Sequence, residues 1–138
     1  MHEESELRAL VKDWMTPNPI TATARINIPE ARQLLEASQI RHLPIVEGRR
    51  VIGILTDRDL RTASMAALIG RTVETLMRTK VLTVEPETPL ADAARIMLQG
   101  HLGCLPVVTD GELVGILTDR DILRSVAGIT AAAPEQQS

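Results

Sequence analysis

The sequence predicts an α/β fold in which one β-α-β-β-α unit is used twice. Three observations predict it. The segment Gly-Ile-Leu-Thr-Asp-Arg-Asp occurs at Gly53–Asp59 and again at Gly115–Asp121, an offset of 62 residues. The same offset, without a gap, aligns Val11 with Val73, Met15 with Met77, Thr21 with Thr83, Ala31 with Ala93, Leu43-Pro44 with Leu105-Pro106 and Val46 with Val108. Within each copy, short apolar runs alternate with segments of helical spacing, the signature of mixed layers. A repeat that cannot close its own core must bury its apolar face against a neighbour. One copy of about 50 residues is marginal alone, and 138 residues fit a single compact domain. The two copies are therefore expected to share one core as a pseudo-twofold pair.

Taken in order, Glu3 to Asp13 places Leu7, Leu10 and Val11 at helical spacing and predicts a short leading helix, ended by Pro17 and Pro19. Ile20 to Thr23 reads as a short strand. Pro29 opens a helix to Ser38 with Ala31, Leu34 and Leu35 on its apolar face. Leu43–Val46 and Val51–Leu55 read as strands joined at Glu47-Gly48, and Thr56 caps a helix from Asp57 to Leu68. In the second copy Thr72 caps a short turn to Met77, Val81–Val84 is a strand, and Thr88-Pro89 opens a helix to about Gln99. Leu105–Val108 and Leu113–Leu117 form a hairpin around Asp110-Gly111, a pair suited to a tight turn. Thr118 caps the last helix, which ends near Gly128. The division is 1–10 N-terminal helix, 11–68 first repeat, 69–130 second repeat and 131–138 a small, polar, Pro-containing disordered tail.

Composition removes several function classes. The net charge of −3 and the lack of a long basic run argue against sequence-independent nucleic-acid binding, which needs clustered Lys and Arg. Trp14 is the only aromatic residue, so the core is aliphatic and base-stacking platforms for single strands are absent. Cys104, the single cysteine, supports no internal disulfide. Nothing at the N-terminus reads as a signal or a membrane span, so the expectation is a cytoplasmic protein without membrane association. His2, His42 and His101 are too scattered for a metal site, and no nucleophile motif or glycine-rich phosphate loop is present.

Chemistry concentrates where an apolar strand ends in Thr and an Asp follows three residues later: Thr56 with Asp59, Thr118 with Asp121. That spacing places hydroxyl and carboxylate together at a helix start, where a carboxylate can accept both hydroxyls of a ribose while amides face an anion. Thr-x-x-Asp is equally a common capping pattern. Seven consecutive identical residues in both copies exceed what capping requires. Arg58 and Arg120 either meet phosphates or pair with a nearby Asp. Cys104 reads as a small buried packing residue and Trp14 as a hydrophobic plug.

With these residues in view, the chain resembles a pair of cystathionine-β-synthase (CBS) domains, the Bateman module, from Val11 to Arg124. The resemblance is carried by MTPNPIT and LMRTKVLTV, by RHLPIV and GCLPVV, and by GILTDRDL and GILTDRDI. It implies two pseudo-twofold-related β-α-β-β-α CBS repeats packed through their small sheets. It also implies adenosine ligands, AMP, ADP, ATP or S-adenosylmethionine, with no cofactor required. Asp59 and Asp121 would hold ribose hydroxyls beside Thr56 and Thr118. One cleft would combine Ile20, Ala22, Arg41, His42, Leu43 and Pro44 with Thr118, Arg120 and Asp121. The other would combine Leu82, Val84, Cys104, Leu105 and Pro106 with Thr56, Arg58 and Asp59. Arg41-His42 stands where the second copy has Gly103-Cys104, so the Asp121 cleft is the expected phosphate-binding one, and the Asp59 cleft is expected empty or to hold a less negative ligand. An Asp121→Ala change is expected to weaken ribose ligands with the fold intact.

The function expected is a regulatory, non-catalytic sensor that signals through conformational change, self-association or a separate effector. A homodimer through helices is expected, with faces offered by Ala31–Ala37, Ala63–Leu68 and Ala91–Leu98. The alternatives are a ligand-free oligomerisation or docking module and, ranked last, an enzyme acting on a nucleotide.

Overall fold

The structure, a computed structural model, describes residues 9–62 and 69–129. The expected stretches Glu3–Arg8, Ala63–Leu68 and the 131–138 tail therefore lie outside the described residues, as does His2. Contacts divide the chain into two compact units, Ile20–Val81 and a second formed by Met1–Pro19 with Leu82–Ser138. Both are mixed α/β.

In the first unit, β2 (Ala22–Thr23) runs parallel to β3 (His42–Glu47), which pairs antiparallel with β4 (Arg50–Thr56). Helix α2 (Ile28–Ser38) connects β2 to β3, and α3 (Asp57–Thr62) follows β4 directly. The sequence reading starts α2 at Pro29, but the cap is Asn27: Asn27 Oδ1 accepts from Glu30 N at 2.8 Å and Glu30 reaches back to Asn27 N at 3.4 Å. These two bonds satisfy amides that a helix start leaves open. A 3₁₀ turn, Val73–Thr75, closes the unit. Thr72 precedes it without a side-chain cap, contrary to expectation; its carbonyl accepts from Thr75 Oγ1 at 2.8 Å instead.

The second unit opens with α1 (Val11–Trp14) and β1 (Thr16–Pro17), then α4 (Leu90–Gly100), the hairpin β5 (Cys104–Thr109) and β6 (Glu112–Thr118), and α5 (Asp119–Ala127). β1 pairs antiparallel with β6. The expected strand Val81–Val84 contracts to one parallel bridge, Val84 with Val107, made by Val84 N to Pro106 O at 3.1 Å and Val108 N to Val84 O at 2.8 Å. The expected strand at Ile20 likewise begins only at Ala22, and Ile20 and Leu82 are both exposed. Asp110 and Gly111 take φ of 53° and 81° at the hairpin tip, the left-handed pair this turn requires. In the first unit the tip is Gly48-Arg49, one residue later than expected, because Glu47 pairs with Arg50.

Among the described residues each unit gathers its own cluster of buried apolar residues, one around Ile28, Leu35, Leu43, Ile45, Leu55 and Val73, the other around Val11, Val84, Leu90, Leu105, Val107 and Leu117. The physical reason lies in connectivity. Val73, which opens the second sequence repeat, is fully buried in the first cluster, and Val11, which opens the first repeat, is fully buried in the second. Each cluster is closed by the leading segment of the other repeat, and Trp14 packs against the second cluster. Of the faces expected to dimerise, Ala31, Leu35, Ala93 and Met97 are core residues and Leu98 on α4 is exposed; Leu123 and Val126 on α5, outside those faces, are exposed as well. Among the described residues no helix is long and apolar enough to cross a membrane.

Candidate functional site

Each Thr-x-x-Asp element sits where a strand runs into a helix, and the backbone is fixed at that junction in the same way in both units. Asp57 N donates to Arg41 O at 3.0 Å, and Asp119 N donates to Gly103 O at 2.9 Å. Thr56 faces His42 across the β3–β4 ladder as Thr118 faces Cys104 across β5–β6. Local geometry then turns each Asp back on its Thr. Thr56 N donates to Asp59 Oδ2 at 3.2 Å, and Asp59 N to Thr56 Oγ1 at 3.1 Å. In the other copy Thr118 N donates to Asp121 Oδ2 at 2.9 Å and Thr118 Oγ1 donates to the same oxygen at 3.1 Å. The capping role is therefore real in both.

Each acid also carries an arginine that the sequence reading did not pair with it. Arg78 lies 3.3 Å from Asp59 Oδ1, and Arg124 lies 2.9 Å from Asp121 Oδ1. Arg124 stands three residues after Asp121 on a predicted helix, a spacing that signals contact. Arg78 is 19 residues from Asp59, and only the fold brings it there. The arginines singled out from the sequence, Arg58 and Arg120, are exposed and form no ion pair among the described residues, so the expected alternative of pairing with a nearby Asp does not occur there.

The two acids differ in burial. The Asp59 side chain is 13% exposed and that of Asp121 only 2%. Burial pushes the Asp121 carboxyl above the ordinary aspartate value, and the Thr118 bonds and Arg124 pull it back only in part. A buried acceptor holding three donors is also a structural residue. Asp121→Ala is therefore expected to cost stability as well as any ligand contact, because it strands the Thr118 amide and hydroxyl.

The remaining expected site residues fall into two groups. Arg41, Ile20 and Leu82 are exposed, and His42 and Ala22 are half-buried. Leu43, Pro44, Leu105 and Pro106 are fully buried, and Val84 and Cys104 nearly so, so their side chains offer little surface to a ligand in this conformation. Burial raises the Cys104 thiol to about 12, with Asp119 adding to the rise, as befits a packing residue. Among the described residues no three His, Cys, Asp or Glu side chains gather as a metal site.

A model of the CBS domain matches residues 11–66 and again 73–128. The CBS domain pair of protein MJ0100, solved in complex with 5′-methylthioadenosine and S-adenosyl-L-methionine, aligns with a TM-score of 0.80 at 37% identity, covering 87% of this chain and 97% of that one. CBSX2 from Arabidopsis thaliana, solved in complex with AMP, aligns with a TM-score of 0.79 at 30% identity, covering 86% and 96%. The CBS domain-containing protein YhcV of Bacillus subtilis is 34% identical over 114 residues, 81% of each chain. L-aspartate semialdehyde sulfurtransferase of Methanocaldococcus jannaschii is 38% identical over 121 residues, 86% of this chain, which spans only 23% of that enzyme's length. Two matches to one domain, in register with the duplicated Thr-x-x-Asp elements, settle the family: the chain belongs to the CBS domain proteins and carries that domain twice.

Proposed function

We propose that this chain is a regulatory module that binds an adenosine ligand, AMP, ADP, ATP or S-adenosylmethionine, and acts by binding rather than by catalysis. The observation that carries this reading is the pair of carboxylates, Asp59 and Asp121, each held by its own Thr amide at a strand–helix junction. A fixed carboxylate with acceptor positions to spare suits the cis-diol of a ribose. Ligands of this class on MJ0100 and CBSX2, relatives at 37% and 30% identity, support it. Thr56 and Thr118 flank the acids, and Arg41, His42, Arg58 and Arg120 are proposed to face phosphates. A ligand that binds two arrangements of the units unequally shifts their populations, and that shift is the proposed signal. It is passed to a second copy of the chain or to an effector protein.

Thermal unfolding of nucleotide-stripped protein against AMP, ADP, ATP, S-adenosylmethionine, NAD and GTP tests the reading. A ligand at a hundred times its Kd adds about 2.7 kcal/mol to stability. A rise in Tm with adenosine ligands that is lost in the double variant Asp59→Asn, Asp121→Asn is expected; no rise with any of the ligands would refute it. The second reading, a ligand-free docking module, draws on Leu98, Leu123 and Val126, which are 76%, 67% and 71% exposed on α4 and α5. It is favoured if the chain dimerises and no ligand alters its Tm.

A further inference from the structure

The two acids share a local frame yet keep different numbers of free acceptor positions. An ionised carboxylate offers about four. Asp59 Oδ2 accepts one bond, from Thr56 N, and Oδ1 one, from Arg78. Asp121 Oδ2 accepts two, from the Thr118 amide and hydroxyl, and Oδ1 one, from Arg124. A cis-diol donates two O–H groups. Asp59 can take both without losing a bond it already has, whereas Asp121 must first release the Thr118 hydroxyl.

Charge follows the same order. Arg78 is held by its backbone, which exchanges two bonds with Ile54, Arg78 N to Ile54 O at 2.9 Å and Ile54 N to Arg78 O at 3.0 Å. Its side chain is 58% exposed, against 23% for Arg124. Asp59 engages one of the five N–H donors of its guanidinium. The position 62 residues earlier is Thr16, so the other repeat has no cation at the matching place.

We propose that Arg78 is a specificity-determining residue, and that with Asp59 it forms a subsite for phosphorylated ribose: the carboxylate takes the diol and the free edge of the guanidinium takes the phosphate. The Asp59 end then prefers a nucleotide such as AMP to uncharged adenosine, the reverse of the order suggested by Arg41-His42 in the sequence. This inference rests on the adenosine-ligand reading.

Titration calorimetry of the nucleotide-stripped chain with AMP and with adenosine, at low and high salt, tests it on wild type, Arg78→Ala, Arg78→Lys and Arg124→Ala. A planar guanidinium on a phosphate gives a strong, charge-assisted contact. Arg78→Ala is therefore expected to cut the preference for AMP over adenosine about tenfold, through AMP alone, while Arg78→Lys keeps part of it and Arg124→Ala all of it. High salt is expected to reduce the wild-type preference. An unchanged preference in Arg78→Ala overturns the inference and leaves the adenosine reading standing. So does equal tightening of both ligands, which would make Arg78 a latch on Asp59. Failure of the wild type to bind either ligand overturns both.

Discussion

A methyl group at Gly53 is the sharpest test of how the units are closed. A Cβ there would lie 2.5 Å from Met77 Sδ, 2.9 Å from Met77 Cγ and 3.1 Å from Arg78 O. The thioether is flexible and can withdraw, at the loss of its packing on the strand. The carbonyl cannot, because it accepts from Ile54 N at 3.0 Å. Overpacking of this kind costs about 1–3 kcal/mol, and the lower chain entropy of unfolded Ala returns about 0.4–1 kcal/mol. Gly53→Ala is thus expected to destabilise by about 1–2 kcal/mol in urea unfolding. Repeated in a Met77→Ala background, where the two Met77 contacts are gone, it should cost clearly less, the remainder coming from the Arg78 carbonyl. Residues in contact couple in this way and distant ones do not. Gly48→Ala serves as the control: nothing lies within 4 Å and its cost comes from φ of +64°, so it should be equally destabilising in both backgrounds. Gly53→Ala costing the same with and without Met77 would refute the reasoning.

Three further outcomes are expected. Asp121→Ala should cost about 2 kcal/mol, more than Asp59→Ala, because it strands buried donors where Asp59 is partly solvated; equal unfolding midpoints for the two would contradict this. Cys104 keeps its proton to about 12 when folded and near 9.0 when unfolded, so stability falls as pH rises above 9. The loss is about 2 kcal/mol by pH 10.5, is absent in Cys104→Ala, and is checked by unfolding curves between pH 8 and 10.5. Asn27→Ala should cost about 1 kcal/mol through loss of the α2 cap, measurable as a lower urea midpoint.

What the sequence makes legible is what local rules decide. Asp110-Gly111 turns the second hairpin because its residues accept positive φ, and Gly128 ends α5 at φ of 74° for the same reason. The helix faces are legible from Ala31, Leu35, Ala93 and Met97. Val81–Val84 was not, because β-branched residues favour a strand only where a partner strand lies alongside, and Val84 alone has one. The closing of the first cluster by Val73 and the Arg78–Asp59 pair were hidden for a common reason. Both depend on a leading segment, Val73 to Arg78, packing on strands that precede it in the chain, and no periodicity records such a choice.

That packing also bears on why seven residues are identical in both copies. Gly53 and Gly115 each lie under a methionine from a leading segment, Met77 and Met15. Leu55 and Leu117 are fully buried, and Ile54 and Ile116 are 7% exposed. The Thr and Asp residues cap one another. Most of the identity thus has a structural cause, and the heptapeptide on its own is weaker evidence for ligand binding than its length suggests. The Asp57/Asp119 and Arg58/Arg120 positions are exceptions, and of these the arginines are exposed, without an ion pair among the described residues, and required by neither core nor cap. If the repeated segment binds phosphate anywhere, these are the cationic side chains whose repetition folding does not explain. Replacing each with Gln should leave the unfolding midpoint within about 0.5 kcal/mol of wild type, as for surface sites in general, while lowering AMP affinity. A change in stability without a change in affinity would return even these residues to the scaffold.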